Sequence, residues 1–383
     1  MPASPIDRWA LDPAVVHLNH GSFGACLRTV VDAAAAFRAR LEASPMRFLV
    51  LEWQAELDRA RAALAEVVAA GTSRLAFVPS ATSGVAVALA STTLAAGDDI
   101  VTTGHVYPAC RNQLEELCAT RGVTLTVVDV ALPFDADRLV DDVARAITPR
   151  TRLALLDHVT SPTALVYPLA RLVDVLARAG VEVLVDGAHA PGQLDLAIDD
   201  LLDRGVTWYV GTCHKWLCAP KASGFLVAAD PSAVRPLFRS NGATTSAWHP
   251  NPMHVSLDWP GTHDPSAQLA VPAALEALAA EAGTWPTMRA RNHALARELR
   301  TALGGTPLSA DDGFGSMVTM RLELPDGVPA KLLERQLLER GIEAPIVDLP
   351  GEPLLRVSAH LYNHVGEAEL LASALHTLGA RVL

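Results

Sequence analysis

Residues 207–228, TWYVGTCHKWLCAPKASGFLVA, decide how the chain reads. TWYVGT (207–212) and GFLVAA (224–229) are short apolar runs of strand length, and the turn between them carries Lys215, flanked by His214 and Trp216. A lysine is ordinarily a solvated surface residue. Here Trp, Leu, Cys and Pro surround it, a partly desolvated setting that lowers an amine pKa and makes imine formation favourable.

Upstream, VEVLVDGAHAPG (181–192) is a buried-strand pattern that ends in Asp186. Open α/β sheets bind ligands at the carboxyl ends of their strands, so a carboxylate there calls for a cationic partner. Taken alone, Asp186 reads as readily as the cap of a turn. Paired with a lysine at the end of another strand, it meets the need to hold a pyridinium nitrogen and an aldehyde carbon together. A third segment, FVPSATSGVAVALAS (77–91), places small polar residues at the start of a helix. Free backbone amides there, with the Thr82 and Ser83 hydroxyls beside them, form a cradle for a phosphate dianion, although an ordinary N-cap at Ser80 or Thr82 would look the same. The three together point to pyridoxal 5'-phosphate.

Around these segments, apolar runs alternate with amphipathic stretches from about residue 50 to 230. Strands are expected at 75–80, 99–104, 125–130, 153–158, 181–186, 207–212 and 224–229. Helical stretches such as ACRNQLEELCATRG (109–122) and LARLVDVLARAG (169–180) close on glycine. The fold class is α/β, a large domain with a doubly wound, mostly parallel sheet and a small α+β C-terminal domain. Residues 240–265, rich in Gly, Pro, Asn, His and Trp, lack a period and read as a long functional loop. Helices over about 265–282 and 284–303 then lead to a strand at SMVTMRLEL, a helix at PAKLLERQLLERG, a strand at PLLRVSAH and a closing helix from Gly366. The expected division is an N-terminal segment (1–45) packing on both domains, a large cofactor-binding domain (46–265) and a small domain (266–383) entered by a long connecting helix.

Half of the 383 residues are apolar and the formal charge is -11, which argues against a nucleic-acid binder. No apolar run is long enough to span a bilayer. The N-terminus lacks a basic stretch leading into an apolar run, which reads as unexported. Five cysteines (Cys26, Cys110, Cys118, Cys213, Cys218) show no paired spacing for zinc or disulfides, so no metal is expected and a reducing cytoplasm fits best.

HLNHGSFGAC (17–26), DHVTSPTALVYP (157–168), VDGAHAPGQLDL (185–196), GTCHKWLCAPKASGFL (211–226), WPGTHD (259–264) and LLRVSAHLYN (354–363) together resemble the fold-type I, class V aminotransferases, and within them the isopenicillin N epimerase-like group. The resemblance runs in order over nearly the whole chain. It implies that Lys215 forms the Schiff base with the cofactor and carries the α-proton. Asp186 would keep the pyridine nitrogen protonated, and His189 would contact the ring's 3-hydroxyl together with Ser161. Ala81 and Thr82 match the phosphate cradle, closed by Thr212 and His214. Thr262 resembles a threonine that reaches the phosphate of a neighbouring subunit, which implies a homodimer. His105 matches a residue stacked on the cofactor face, against the alternative that it is structural. Arg356 matches the clamp on the substrate α-carboxylate, with Asn19, His20 and Gly21 lining the same pocket. Arg47 is a candidate for the substrate's distal end, against the alternative of a solvated arginine, and Tyr107 is a candidate second proton donor.

Two positions depart from that pattern: His263 stands where arginine is common, and Ala164 where glycine is common. Both leave the cofactor machinery intact and bear on the substrate. The implied activity is chemistry at the α-carbon of an amino acid or small peptide-like substrate, through an external aldimine and carbanion, with isopenicillin N epimerase-like epimerisation favoured. A carbon–sulfur lyase, a class V aminotransferase and a non-catalytic scaffold are the alternatives. A desulfurase is disfavoured because no cysteine follows Cys218 to supply a mobile thiolate.

Overall fold

The computed structural model describes residues 5–241, 249–349 and 351–383. Residues 242–248, part of the long loop expected over 240–265, lie outside the described residues.

Seven strands build the central sheet: β1 (Leu75–Val78), β2 (Asp99–Thr103), β3 (Thr124–Val128), β4 (Thr151–Asp157), β5 (Glu182–Asp186), β6 (Val206–Thr212) and β7 (Gly224–Ala228). Their order is β1-β7-β6-β5-β4-β2-β3, and every pairing is parallel except those of β7, which runs antiparallel to both β1 and β6. The sheet is thus mostly parallel, as expected, and each expected strand lies within two residues of an observed one. Leu153 to Leu156 and Val183 to Val185 are fully buried, because helices cover both faces of the sheet.

The flanking helices are α1 (Arg28–Ala43), α2 (Trp53–Val68), α3 (Ala81–Ser91), α4 (Pro108–Arg121), α5 (Ala136–Ala146), α6 (Leu169–Arg178) and α7 (Ile198–Arg204). Gly122, in the left-handed conformation, ends α4, where glycine carries no Cβ penalty.

The stretch over 240–265 is not all loop. Pro252–Leu257 is a helix, α8, with the Asn251 side chain accepting the Met253 amide and Pro252 in the first turn. Its local signal, an N-capping Asn before a Pro, is shorter than the window in which a period shows. The stretch expected as one helix over 265–282 is divided into Ser266–Leu269 and α9 (Val271–Ala282). Pro272 explains the break, since it has no amide to offer the Gln268 carbonyl. Helix α10 (Trp285–Ala302) follows, started by the Thr284 side chain on the Thr287 amide.

A second, four-stranded antiparallel sheet contains β8 (Met317–Glu323), β9 (Ile346–Leu349), β10 (Glu352–Ser358) and β11 (Arg381–Val382), in the order β9-β10-β8-β11. Helices α11 (Ala330–Leu338) and α12 (Glu367–Thr377) accompany it. It has its own core, which includes Leu299, Val318, Leu333, Leu355 and Leu371. The N-terminal segment ties the two sheets together: Val16–His17 pairs with Ile342–Glu343, and the His20 ring bonds the Lys215 carbonyl. No helix among the described residues is long and apolar enough to cross a membrane.

Candidate active site

Strand ends bring the chemistry together. β1 runs into Ser80, Ala81 and Thr82, β4 ends in Asp157, β5 in Asp186, and β6 in Thr212 ahead of His214 and Lys215. These residues, with Ser22, Phe23, Tyr107, Val159, Ser161, Ala188 and His189, line one cavity of about 190 Å³ at the carboxyl edge of the sheet.

Lys215 is partly buried, and its Nζ lies 3.0 Å from Nε2 of His189. Desolvation lowers its pKa to about 8, against the opposing attraction of Asp186. Its loop is fixed from two sides by glycines with positive φ. A Cβ on Gly24 (φ +67) would sit 1.8 Å from the His214 carbonyl oxygen, and one on Gly192 (φ +85) 2.6 Å from that of Trp216. Only glycine lets both backbones come so close. Burial holds His189 well below the usual histidine range, with Lys215 acting in the same sense, so the neutral ring faces the amine.

Asp186 is 4% exposed. Its Oδ1 accepts the Ala188 amide at 2.9 Å and its Oδ2 the Cys110 thiol at 3.2 Å. Asp157, next to it across the sheet, was not singled out from the sequence. Yet its signal, an apolar strand ending in aspartate, is the same as that of Asp186.

At the start of α3 the Ser80 hydroxyl accepts the Ser83 amide, so the N-cap reading of Ser80 holds. The amides of Ala81 and Thr82, as the first two of the helix, have no intrahelical acceptor. Thr212 reaches the same wall, although its hydroxyl already donates to the Ala188 carbonyl at 2.7 Å. His214 faces the cavity as a neutral ring, its pKa lowered to about 4 by burial.

Arg356 is 4% exposed, and its guanidinium donates to the backbone carbonyl and hydroxyl of Ser161, to Asn19 Oδ1 at 3.3 Å and to Ser22 Oγ at 2.8 Å. All of these partners are neutral. Burial lowers its pKa to about 10, which still leaves it charged at neutral pH. Ser161 therefore holds the arginine while also lining the cavity. Ser22 and Phe23, both absent from the sequence-based set, stand at the mouth, Phe23 with 71% of its surface exposed.

Several expected residues do not reach the cavity wall. His20 is 2% exposed and turned away: Nε2 donates to the Lys215 carbonyl at 3.0 Å, Nδ1 accepts from the Tyr362 hydroxyl at 3.1 Å, and the ring stacks on His360. Gly21 packs against Met317 and Ser358, and its amide donates to Ser358 Oγ. His105 pairs through Nδ1 with Thr163 Oγ1 at 3.0 Å, buried and neutral. Arg47 is a surface arginine, 70% exposed and paired with Glu52. Thr262 lies on an exposed turn, and neighbouring His263 folds its Nδ1 onto the Gly261 carbonyl. Ala164 has φ +57, a left-handed conformation that glycine adopts without a Cβ penalty.

The residues present fit a cofactor that is at once an aldehyde, a phosphate and a pyridine base. A partly desolvated amine, free helix-terminal amides and a buried carboxylate supply the three matching groups. Asp157 Oδ2, His189 Nδ1 and Arg356 Nε are buried without a hydrogen-bond partner, donors and acceptors of the kind a bound group satisfies.

Comparison with known proteins agrees. The family model for aminotransferase class V matches residues 25–309. The chain is 36% identical to isopenicillin N epimerase of Streptomyces clavuligerus over 97% of its own length and 96% of the relative's. It is 30% identical to putative L-cysteine desulfhydrase 1 of Oryza sativa subsp. japonica, over 96% and 84% of the two chains. Among solved structures, the cystine C–S lyase in complex with cysteine persulfide superposes with a TM-score of 0.82 at 22% identity, covering 94% of this chain and 97% of that one. The Escherichia coli cysteine desulfurase CsdA superposes with a TM-score of 0.79 at 22% identity over 99% of both chains. The chain belongs to the class V aminotransferase family and is a pyridoxal-phosphate-dependent enzyme.

Proposed function

We propose that the enzyme moves a proton at the α-carbon of an amino acid or small peptide-like substrate, and that the outcome is isopenicillin N epimerase-like epimerisation. The observation that carries the reading is Arg356, a buried guanidinium whose hydrogen-bond partners are all neutral and whose charge acts on the amine of Lys215. Glu334 attracts it from a distance, but a desolvated cation with no anion bonded to it is costly and is stabilised by an incoming one. A planar fork suits a carboxylate, so Arg356, held by Asn19, Ser22 and Ser161, binds the substrate α-carboxylate.

When bound, pyridoxal phosphate supplies an aldehyde that condenses with amines and a ring that accepts the electron pair released at the α-carbon. In this reading Lys215 would hold the aldehyde carbon through Nζ, and Asp186 would keep a proton on the ring nitrogen. The amides of Ala81 and Thr82, with Thr212 and His214, would hold the phosphate, and His189 would meet the 3-hydroxyl. Lys215, with a pKa near 8, takes the α-proton at Nζ. The Tyr107 hydroxyl returns one from the other side. Two proton carriers in one cavity are what inversion requires.

The second reading, a carbon–sulfur lyase, draws on the desulfhydrase relatives. Persulfide chemistry on a protein thiolate is disfavoured. None of the five cysteines lines the cavity, and Cys110, the one nearest the carboxylates, is bonded to Asp186 with its pKa raised by burial. Turnover of candidate amino acids in deuterated water separates the readings. Racemised substrate with deuterium at the α-carbon supports epimerisation, and pyruvate release supports the lyase.

The proposal extends to a homodimer in the cytoplasm. Met46, Val50 and Leu51, in the stretch around Arg47, are exposed apolar side chains, and Thr262 lies on an exposed turn where it could meet a neighbour's phosphate. Sedimentation of the holoenzyme tests this.

A further inference from the structure

The floor of the cavity holds two carboxylates. Asp157 and Asp186 end adjacent parallel strands and are direct register partners, and the His158 amide donates to the Asp186 carbonyl at 2.8 Å, locking the alignment. Neighbouring strands lie about 4.8 Å apart, so the two side chains emerge side by side. They are 2% and 4% exposed, and both line the cavity.

Their surroundings are unequal. Asp186 accepts the Ala188 amide and the Cys110 thiol. Asp157 is reached by the Tyr107 amide and its own, and its Oδ2 is buried with no partner at all. The other groups that act on the pair are the Lys215 amine, from the loop after β6, and two phenols. Tyr167 is bonded to Thr103, and Tyr209 to His158. One cation faces two acids. Two adjacent buried carboxylates cannot both ionise cheaply, and they retain one proton between them.

We propose that the pair keeps a single proton, carried by Asp157, so that the floor presents one negative charge, on Asp186, to the ring nitrogen. The donors around Asp186 stabilise an anion, whereas Asp157 has a bare oxygen that suits the neutral acid. Burial and the Asp186 charge both push the Asp157 carboxyl well above the usual carboxylate range, in the same sense as the geometry. Asp157 is therefore a positioning residue that acts through Asp186. It sets the charge that the pyridine ring meets and so the strength of the electron sink. This inference rests on the pyridoxal-phosphate chemistry above for its consequence, but not for the location of the proton.

Carbon-13 NMR of the full chain labelled at the aspartate carboxyl carbons tests it, recorded without and then with added pyridoxal phosphate. The expected result without cofactor is one aspartate still protonated at pH 7 and titrating above it. That resonance is lost in Asp157→Asn, and in Asp186→Asn its midpoint falls because the like charge is gone. With cofactor, the pH titration of visible absorbance contains one ionisation fewer in Asp157→Asn than in wild type. Three results overturn the proposal: no protonated aspartate at pH 7 in wild type, a protonated resonance that survives Asp157→Asn, or a midpoint unmoved by Asp186→Asn. The wild-type and Asp186→Asn arms decide the matter if Asp157→Asn does not fold. A chain that takes up no cofactor contradicts the catalytic reading alone, because the proton is assigned before cofactor is added.

Discussion

Lys215 Nζ lies 3.0 Å from Nε2 of His189, whose ring burial keeps neutral. A neutral acceptor does not compensate an ammonium as a carboxylate would, so the amine is held in a form that loses its proton readily.

The first prediction concerns this amine. Its folded-state pKa of about 8 lies below its ordinary value of 10.5. The depressed value means that the folded chain carries the full cost of a desolvated ammonium below pH 8. Cofactor-free protein should gain stability as pH rises from about 8 to about 10.5, a window set by the same two values. Lys215→Met should remove that slope and stabilise the cofactor-free protein at pH 7 by on the order of 1–3 kcal/mol, while abolishing borohydride-reducible cofactor. Urea unfolding at several pH values measures the slope, and a wild type whose stability is flat from pH 8 to 10 contradicts it.

Arg356 gives the second prediction. Its fork is set by Ser161, Asn19 and Ser22, a geometry that a lysine ammonium cannot reproduce. Arg356→Lys should lower kcat/KM on the order of 10²-fold, from the loss of roughly 1.5–3 kcal/mol of charge-assisted bonding, mainly through a rise in KM. The cofactor's visible absorbance should stay intact. Steady-state kinetics on the preferred amino acid give the split, and an unchanged KM removes Arg356 from the carboxylate site.

Ala164 allows a stability test independent of chemistry. The residue is 1% exposed with φ +57, and its amide donates to the Thr160 carbonyl. A left-handed alanine costs about 1–2 kcal/mol, of which the added freedom of an unfolded glycine cancels about 0.5–1. Ala164→Gly should therefore stabilise the protein by roughly 0.5–1 kcal/mol, visible as a higher urea midpoint with an unchanged slope. A lower midpoint shows that the alanine methyl contributes packing that outweighs the strain.

Much of the fold could be read from the sequence because its strands are short apolar runs that end abruptly in polar residues. LALLD and VEVLVD announce both the strands and the carboxyl edge where Asp157 and Asp186 sit. Lys215 and Asp186 stand out because each breaks an otherwise apolar context, whereas Arg356 is pointed to by the family resemblance of LLRVSAHLYN. What could not be read was direction. His20 lies one residue from Asn19, yet it faces His360 and the Lys215 carbonyl while Asn19 faces Arg356. No linear pattern tells apart the first residue of the short helix His20–Phe23 and Asn19, its N-cap. Asp157 went unnoticed because its meaning depends on the register that brings it beside Asp186, a contact between segments with no local trace.

Arg61 and Asp258 pair at 2.5 Å with 1% of either side chain exposed, and Arg61 also donates to the Leu75 carbonyl at 3.0 Å. The pair joins α2 to β1 and to the end of α8. Arg61→Ala leaves Asp258 a buried uncompensated charge and should destabilise the protein by about 3–5 kcal/mol; Asp258→Ala should cost less, because Arg61 keeps its contact with the half-exposed Asp58 at 3.4 Å. Together they should cost less than the sum. A denaturation double-mutant cycle measures the coupling, and additive losses mean that the two act independently.

Tyr107 provides the test of reaction type. It lines the cavity with 40% of its surface exposed, in the turn that leads into α4. If its hydroxyl delivers the second proton, Tyr107→Phe should slow epimerisation by about 10²–10⁴-fold, the usual contribution of a positioned acid. Removal of the α-proton by Lys215 needs no phenol. The variant should therefore still wash the α-hydrogen of one enantiomer into deuterated water with retention of configuration, while interconversion of the enantiomers falls. Chiral chromatography with mass detection reads both rates at once. Equal losses of exchange and interconversion place Tyr107 in binding. An unchanged rate of interconversion assigns the second proton to another group at the mouth.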